Sequence, residues 1–228
     1  MNGASLHEEQ FESSWEAAPA IALVIVGQVV LAIVSRTEHW KLWELPWWVW
    51  LIPIGGELAL LIPLAWHRPR RQLEQMGHRR TVALALLALI SFANALLLLA
   101  VIASLVRGDE KSGAQLLLKA IIVWGTNVIT FGLWFWEFDR GGPVRRLRPD
   151  PPPPDFQFPQ LENPQLAEPG WTPQLVDYIY VSFTNSIAFS PTDAMPLSPR
   201  AKLLMLAESG ISSLTVLLVA ARAVNIFK

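Results

Sequence analysis

Between residues 184 and 202 the chain reads TNSIAFSPTDAMPLSPRAK, and four of the oxygen-bearing side chains in this stretch are candidate ligands for a cation. They are the hydroxyls of Ser186, Ser190 and Thr192 and the carboxylate of Asp193. Rings of acidic side chains, supplied by several copies of one chain, attract cations in channel pores. The segment is therefore a candidate cation path. The alternative is a Ser-Pro-Thr-Asp turn in which Asp193 caps its own backbone, as aspartate does in Asx turns.

A second set of polar side chains follows in a long apolar stretch. Glu208, Ser212 and Thr215 are four and three residues apart, so they share one face of a helix. Such a face either lines a water-filled ion path or faces the interior of a helix bundle, where small hydroxyl residues let helices pack closely. The three residues are ion-path candidates, with helix packing as the structural alternative.

Four more polar residues lie inside apolar stretches: Glu57, Asn94, Lys119 and Asn127. A charge in hydrocarbon is costly unless it is paired or hydrated, so each charged residue there is a functional candidate. One interpretation pairs Glu57 with Lys119 within the bundle; a second makes Glu57 a proton or ion relay. The two asparagines are interpreted as hydrogen-bond partners between helices.

Enzymatic chemistry finds little support in the sequence. There is no cysteine, the four histidines have no metal-ligand spacing, and no nucleophile or phosphate-loop motif is present. We expect no enzyme, no metal and no cofactor. The arginines fall in two clusters beside apolar stretches, which is typical of membrane orientation rather than of a nucleic-acid surface.

The elements that must position these residues are long apolar blocks. The chain is 52% hydrophobic and 16% charged, and its mean hydropathy is +0.35. Five blocks are long enough to cross a hydrocarbon core of about 30 Å as helices. They are residues 17–34, 47–66, 81–106, 115–138 and 201–227. This pattern predicts an all-α integral membrane protein that is embedded in a lipid bilayer.

Four segments follow from this pattern: an N-terminal tail (1–16), a four-helix transmembrane bundle (17–138), a proline-rich linker (139–171) and a C-terminal helix, loop and last span (172–228). The density of proline in the linker excludes regular helix and strand. The linker is either disordered or, because Phe156, Phe158 and Trp171 recur in it, ordered across one end of the bundle. Thr172 and Pro173 predict an N-cap and first helical residue.

The arginine clusters predict the orientation. The loop after the second span carries five arginines, and four more follow the fourth span: Arg68, Arg70, Arg71, Arg79 and Arg80, then Arg140, Arg145, Arg146 and Arg148. Since cytoplasmic loops are enriched in arginine and lysine, both regions should be cytoplasmic. The N-terminus is then cytoplasmic too, and a bacterial inner membrane is the expected location.

The C-terminal segment YIYVSFTNSIAFSPTDAMPLSPRAKLLMLAE resembles the pore helix, filter and inner helix of tetrameric potassium-channel-like proteins. Aligned on Asp193 and the following proline turn, residues 188–192 stand where that family has its Thr-Val-Gly-Tyr-Gly filter. The resemblance implies a re-entrant helix and a homo-oligomer around a central axis. The chain also resembles uncharacterised bacterial membrane proteins with an AFSPTD segment, which bring no known activity.

The departures from the filter change the expected function. Ser190 and Thr192 replace the filter glycines, and Pro191 fixes φ and removes an N–H. We therefore expect a channel-like protein that passes monovalent cations with weak selectivity, without potassium selectivity. The alternative is a non-conducting structural or interaction protein that retains the pore-loop fold.

One conflict remains at this level. The family's pore loop enters the membrane from outside, whereas the arginines place the entry side of this loop in the cytoplasm. A short sixth span over residues 176–190 is the other way to resolve the conflict.

Overall fold

A computed structural model of the chain describes residues 17–37, 46–66, 77–108, 113–146, 149–190 and 193–226. The N-terminal tail and Thr192, which were predicted above, lie outside the described residues. Within the described ranges there are eight α-helices: α1 Ala17–Thr37, α2 Ile52–Ala65, α3 Arg79–Arg107, α4 Gly113–Phe138, α5 Pro143–Arg146, α6 Pro159–Glu162, α7 Leu175–Ala188 and α8 Pro199–Ile226. Short 3-10 turns are found at Trp47–Leu51, Asp139–Gly141 and Pro164–Leu166.

Five described helices are long and apolar enough to cross a membrane. They are α1, α2 together with its preceding 3-10 turn, α3, α4 and α8. The predicted all-α fold with five spanning-length helices is confirmed at this level. The boundaries follow local chemistry: α3 ends at Gly108, whose left-handed φ of 74° suits glycine, and α2 starts with a proline in its first turn. Pro63 lies inside α2.

Two compact units divide the described chain. The bundle unit comprises the described residues of 20–127 and 211–226, and the loop unit comprises those of 17–19 and 128–210. The bundle unit has a core of aliphatic side chains from α1, α3 and α4, among them Leu31, Leu97, Val101 and Val123. Burial of such side chains is the main contribution that holds helices of this kind together outside a bilayer, while close packing does so within one.

The loop unit is built around aromatic rings. Phe156 packs against Phe135 with ring centroids 5.0 Å apart, and Phe158 packs edge-on against Tyr178 at 5.3 Å. All four side chains are buried. Because Phe156 and Phe158 belong to the proline-rich segment, the described part of that segment is ordered rather than an extended free linker.

A two-residue antiparallel ladder completes the loop unit. Strand β1 (Phe156–Gln157) pairs with strand β2 (Met195–Pro196), with Phe156 opposite Pro196. The ladder attaches the proline-rich segment to the residues just before α8. The expectation that this segment contains no regular helix or strand is wrong, since α5, α6 and β1 lie in it.

The start of α7 differs from the prediction. The helix begins at Leu175, with Gln174 as its N-cap, and not at Thr172 and Pro173. Gln174 and Asp177 form a capping box, in which the Gln174 N–H donates to the Asp177 carboxylate at 2.7 Å. This reciprocal pair satisfies backbone N–H groups in the first turn of the helix.

Candidate functional site

A buried glutamate joins α7 to α8. Asn185 Nδ2 donates to Glu208 Oε2 at 2.7 Å and to the carbonyl of Met205 at 3.1 Å. The Ser182 hydroxyl contacts Glu208 Oε1 and also lies 2.6 Å from the carbonyl of Val128 on α4. Glu208, Ser182 and Asn185 are all buried, and we call them the Glu208 cluster. The cluster connects α4, α7 and α8 by hydrogen bonds within the loop unit.

A second group of buried polar residues lies at the N-terminal end of α7. The Tyr178 hydroxyl donates to Asp139 Oδ2 at 2.6 Å and accepts a hydrogen bond from Arg146. Arg146 also donates to the carbonyl of Trp136, and its Nη1 lies 3.9 Å from Asp139 Oδ2. Arg146 was counted above among the orientation arginines, but it is a buried ion-pair partner. Burial raises the pKa of the Tyr178 phenol far above its usual value, so the hydroxyl keeps its proton.

The same group extends to α8 through the proline-rich segment. Asp139 Oδ1 accepts from the backbone N–H of Asp155 at 2.7 Å, and Arg200 Nε donates to Asp155 Oδ1 at 2.7 Å. Burial acts to raise the pKa of Asp155, but hydrogen bonds from Arg200 and Ser198 and the charge of Arg200 outweigh it, so the pKa lies below its usual value. We call Asp139, Arg146, Asp155, Tyr178 and Arg200 the base network.

These two clusters fix the direction of α7 and α8. The base network joins the first turns of both helices, and the Glu208 cluster joins them one to two turns further along. The two helices therefore run side by side in the same direction.

The chain between these two helices must return to the end at which α7 started. A helix of 14 residues is about 21 Å long, and the seven residues that follow, 189–195, can reach about 25 Å when extended. The return is made, since β2 pairs with β1 and the Leu197 N–H donates to the Asp155 carbonyl at 2.8 Å. Helix α7, the described residues between 189 and 198 and the start of α8 thus form a unit of two parallel helices joined by a returning segment, which we call the loop module.

The predicted cation ligands that the structure describes do not all lie at one place in the loop module. Ser190 and Asp193 are exposed on the returning segment, whereas Ser186 is buried and donates to the carbonyl of Phe183 within α7. Asp193 is close enough to the start of α7 for its charge to act on Asp177. Burial raises the pKa of Asp177, the backbone hydrogen bond at Gln174 lowers it, and the charge of Asp193 raises it again, which leaves it above its usual value.

The backbone departs from a filter at its first aligned positions. Ala188 is the last residue of α7, and Phe189 takes a left-handed conformation with φ 53° and ψ 31° that ends the helix. A carbonyl-lined filter requires successive carbonyls that point at the ion, and a helical residue does not provide one. Only Ser190 among the aligned residues beyond Phe189 lies within the described chain.

Ser212 and Thr215, the C-terminal part of the predicted polar face of α8, belong to the bundle unit. Ser212 is buried and accepts a hydrogen bond from Asn127 Nδ2 on α4 at 3.0 Å, and Thr215 is buried and donates to the Ile211 carbonyl of its own helix. The stripe therefore faces the protein interior, which was one of the two predicted arrangements.

The polar residues of the other spans also lie in the bundle unit. Glu57 is fully buried on α2, and its Oε1 accepts from Gln28 Nε2 on α1 at 2.8 Å. Asn94 on α3 donates to the Val123 carbonyl on α4 at 3.2 Å, as expected of an interhelical partner. Lys119 is buried on α4. The partner that the structure gives Glu57 is Gln28, which the sequence reasoning did not consider.

Sequence reasoning missed most of these two clusters. Tyr178, Ser182 and Asn185 are spaced by four and three residues, so they form a polar stripe on one face of α7. This periodicity was visible in the sequence and could have identified the buried face. The pairing of Asp139 with Tyr178 carried no such signal because 39 residues separate them.

The fold and the loop module define an all-α protein with five helices of membrane-spanning length among its described residues. No family model, no curated protein and no solved structure matches the chain. The likeness to potassium-channel-like proteins therefore stays a prediction from the residues alone.

Proposed function

We propose that the chain is a multi-pass membrane protein whose loop module is a re-entrant pore loop, and that several copies form a weakly selective channel for monovalent cations. The observation that carries the proposal is that the chain after α7 is back at the N-terminal end of that helix by residues 195–197. A short helix, an irregular return and a long helix that begins on the same side are the parts of a pore loop. Irregular backbone at membrane depth is tolerated where it lines water or is buried in protein.

The chemistry of the exposed loop supports a cation rather than an anion. Asp193 is exposed beside the start of α7, where Asp177 adds a second carboxylate within electrostatic reach. A ring of such groups from several copies would concentrate cations at the mouth of the path. Weak selectivity follows because hydroxyls and carboxylates on a glycine-free loop do not reproduce a cage of carbonyls.

An uncovered apolar face supports assembly of several copies. Val176, Tyr180, Phe183 and Ile187 lie along one side of α7 and are all exposed. Their spacing of four, three and four residues makes them a single stripe. A neighbouring copy that covers this stripe would bring the loops of the two chains together.

The non-conducting alternative is favoured by one observation. Glu208, Ser212 and Thr215 are buried and hydrogen-bonded within their own chain, so they do not line a water-filled path. A protein that retains the module only to hold α7, α8 and α4 together would have this arrangement.

Ion flux into proteoliposomes separates the two functions. The reconstituted chain should pass monovalent cations, and Asp193→Asn should lower the preference for cations over anions because each copy loses one loop carboxylate. Asp150→Asn is the matched control, since Asp150 is also an exposed aspartate but lies in the proline-rich segment. Absence of flux over a range of voltage and pH, in protein that is folded and assembled, would favour the non-conducting function.

Labelling of single cysteines tests the re-entrant path and the orientation. The chain contains no cysteine, so Gln174→Cys, Leu197→Cys and Asp150→Cys can each be made in a clean background. All three positions are exposed. A re-entrant loop with a cytoplasmic entry predicts that none reacts with an impermeant maleimide applied outside cells. Labelling of Leu197→Cys but not of Gln174→Cys would instead indicate a short sixth span.

A further inference from the structure

A cavity of about 120 Å³ lies within the bundle unit. Its walls are mostly apolar and include Trp50, Pro53 and Leu97. Three lining side chains carry oxygen atoms: Gln28 on α1, Asn94 on α3 and Thr126 on α4. The cavity is thus an apolar chamber with polar atoms from three helices, which is typical of a small-molecule site.

The hydrogen bonds around the cavity leave it with acceptors. The amide nitrogen of Gln28 is used by Glu57, and that of Asn94 by the carbonyl of Val123. The amide oxygens Gln28 Oε1 and Asn94 Oδ1 are buried and have no hydrogen-bond partner in the described chain. A ligand that satisfies them must donate hydrogen bonds, because two acceptors cannot pair with each other.

The carboxylate of Glu57 lies next to Gln28, and its negative charge favours a positively charged ligand. Glu57 is fully buried behind Gln28, and its Oε2 has no hydrogen-bond partner among the described residues. A buried carboxylate with one unsatisfied oxygen favours a cation nearby. Trp50 in the wall can also face a cation, since an aromatic ring attracts ammonium groups.

We propose that this cavity binds a small organic ammonium ion, with its N–H groups toward the oxygens of Gln28 and Asn94 and its alkyl part against the apolar wall. An ammonium group has three N–H donors and no acceptor, which fits the two amide oxygens that have no donor in the described chain. The apolar walls argue against a bare inorganic cation, which requires a shell of oxygens. Since a cavity of about 150 Å³ holds benzene, the ligand has about five heavy atoms.

The test measures binding to the full chain in lipid nanodiscs, by calorimetry and by saturation-transfer NMR, and needs no flux. The probes are n-butylammonium and the neutral 1-butanol, which have nearly the same shape. We expect n-butylammonium to bind about tenfold more tightly, the scale of one charge interaction across a partly polar site. Equal affinity of the two probes, or binding of neither to the folded protein, would overturn the proposal.

Two variants locate the binding. Glu57→Gln keeps the shape of the side chain and an oxygen that can accept from Gln28 Nε2, but it removes the charge, so it should abolish the preference for n-butylammonium over 1-butanol. Ala93→Leu fills the cavity and should abolish binding of both probes, whereas Ala22→Leu, on the exposed face of α1, should leave both unchanged. An ammonium preference that survives both Glu57→Gln and Ala93→Leu would place the binding elsewhere and refute the assignment.

Discussion

The two tyrosines of the chain allow a controlled test of the base network. Both lie on α7, two residues apart and therefore on different faces of the helix. Tyr178 is fully buried, and Tyr180 is 52% exposed. Tyr178→Phe removes only the hydroxyl that donates to Asp139 and accepts from Arg146. Tyr180→Phe removes the same atom from the other face.

The expected loss for Tyr178→Phe follows from the bonds that disappear. Two hydrogen bonds to charged groups are lost, each of which contributes about 1.5–3 kcal/mol. Asp139 keeps its bonds from the Asp155 and Phe156 N–H groups, and Arg146 keeps its bond to the Trp136 carbonyl. The remaining ion pair can tighten from 3.9 Å, so we expect a net loss of about 2–4 kcal/mol.

Thermal unfolding in nanodiscs measures this loss. For a chain of this size each kcal/mol corresponds to about 2–4 °C in Tm, so Tyr178→Phe should lower Tm by roughly 5–15 °C. Tyr180→Phe should change it by less than about 2 °C, as expected of an exposed substitution. Equal Tm values for the two variants would refute the view that the base network stabilises the loop unit.

The Tyr180→Phe variant also tests the protonation of the buried hydroxyl, since Tyr178 is then its only tyrosine. Burial raises the pKa of Tyr178, so ultraviolet absorbance should show no tyrosinate until the pH is far above the usual value of about 10. Stability from this group is present below about pH 10 and is lost as the pH rises through the folded-state pKa. Titration at the usual pH would show that the hydroxyl is not enclosed as described.

Two further predictions concern neighbouring contacts. The pKa of Asp155 is lowered in the folded state, so its contribution to stability is present above about pH 4 and is lost as the pH falls through the folded-state pKa. The Tm of Asp155→Asn should therefore lack this part of the fall at acid pH. If the Tm of the variant falls as much as that of the unchanged protein, the fall is due to other carboxylates. Gly132→Ala should lower the free energy of unfolding by about 1–3 kcal/mol, because the added Cβ would lie 2.9 Å from the Ile179 Cα. Gly125→Ala is the control and should be tolerated, because its Cβ would meet no neighbouring atom within 4 Å. Equal Tm values for the two variants would contradict close packing of α4 on α7.

The long helices were predictable because length and apolar content decide them. The predicted blocks at 17–34 and 115–138 correspond to α1, Ala17–Thr37, and α4, Gly113–Phe138. Their interior positions carry few polar groups, so neither the type nor the approximate extent depended on tertiary contacts. The ends differ by two or three residues, because capping and the last turn depend on local backbone geometry.

The polar clusters were only partly predictable, because they depend on residues distant in sequence. Glu208 was a candidate, but its partners Ser182 and Asn185 were not, since nothing in the α8 sequence indicates which face of α7 it meets. Asp139 and Arg146 read as the polar end of a span. Their burial depends on Tyr178, which reaches them only because α7 packs against α4. No local sequence pattern near Asp139 or Arg146 indicates this contact.

The base network has a consequence for the order in which the protein is made. Asp139 ends α4, but its partners at Asp155 and Tyr178 are synthesised 16 and 39 residues later. At a synthesis rate of about 5–20 residues per second, several seconds pass between the synthesis of Asp139 and that of Tyr178. Until then the carboxylate lacks the Tyr178 hydroxyl that completes its hydrogen bonds, so the residues that follow α4 cannot take their final buried arrangement. The loop unit should therefore be completed late, only after α7 has been synthesised.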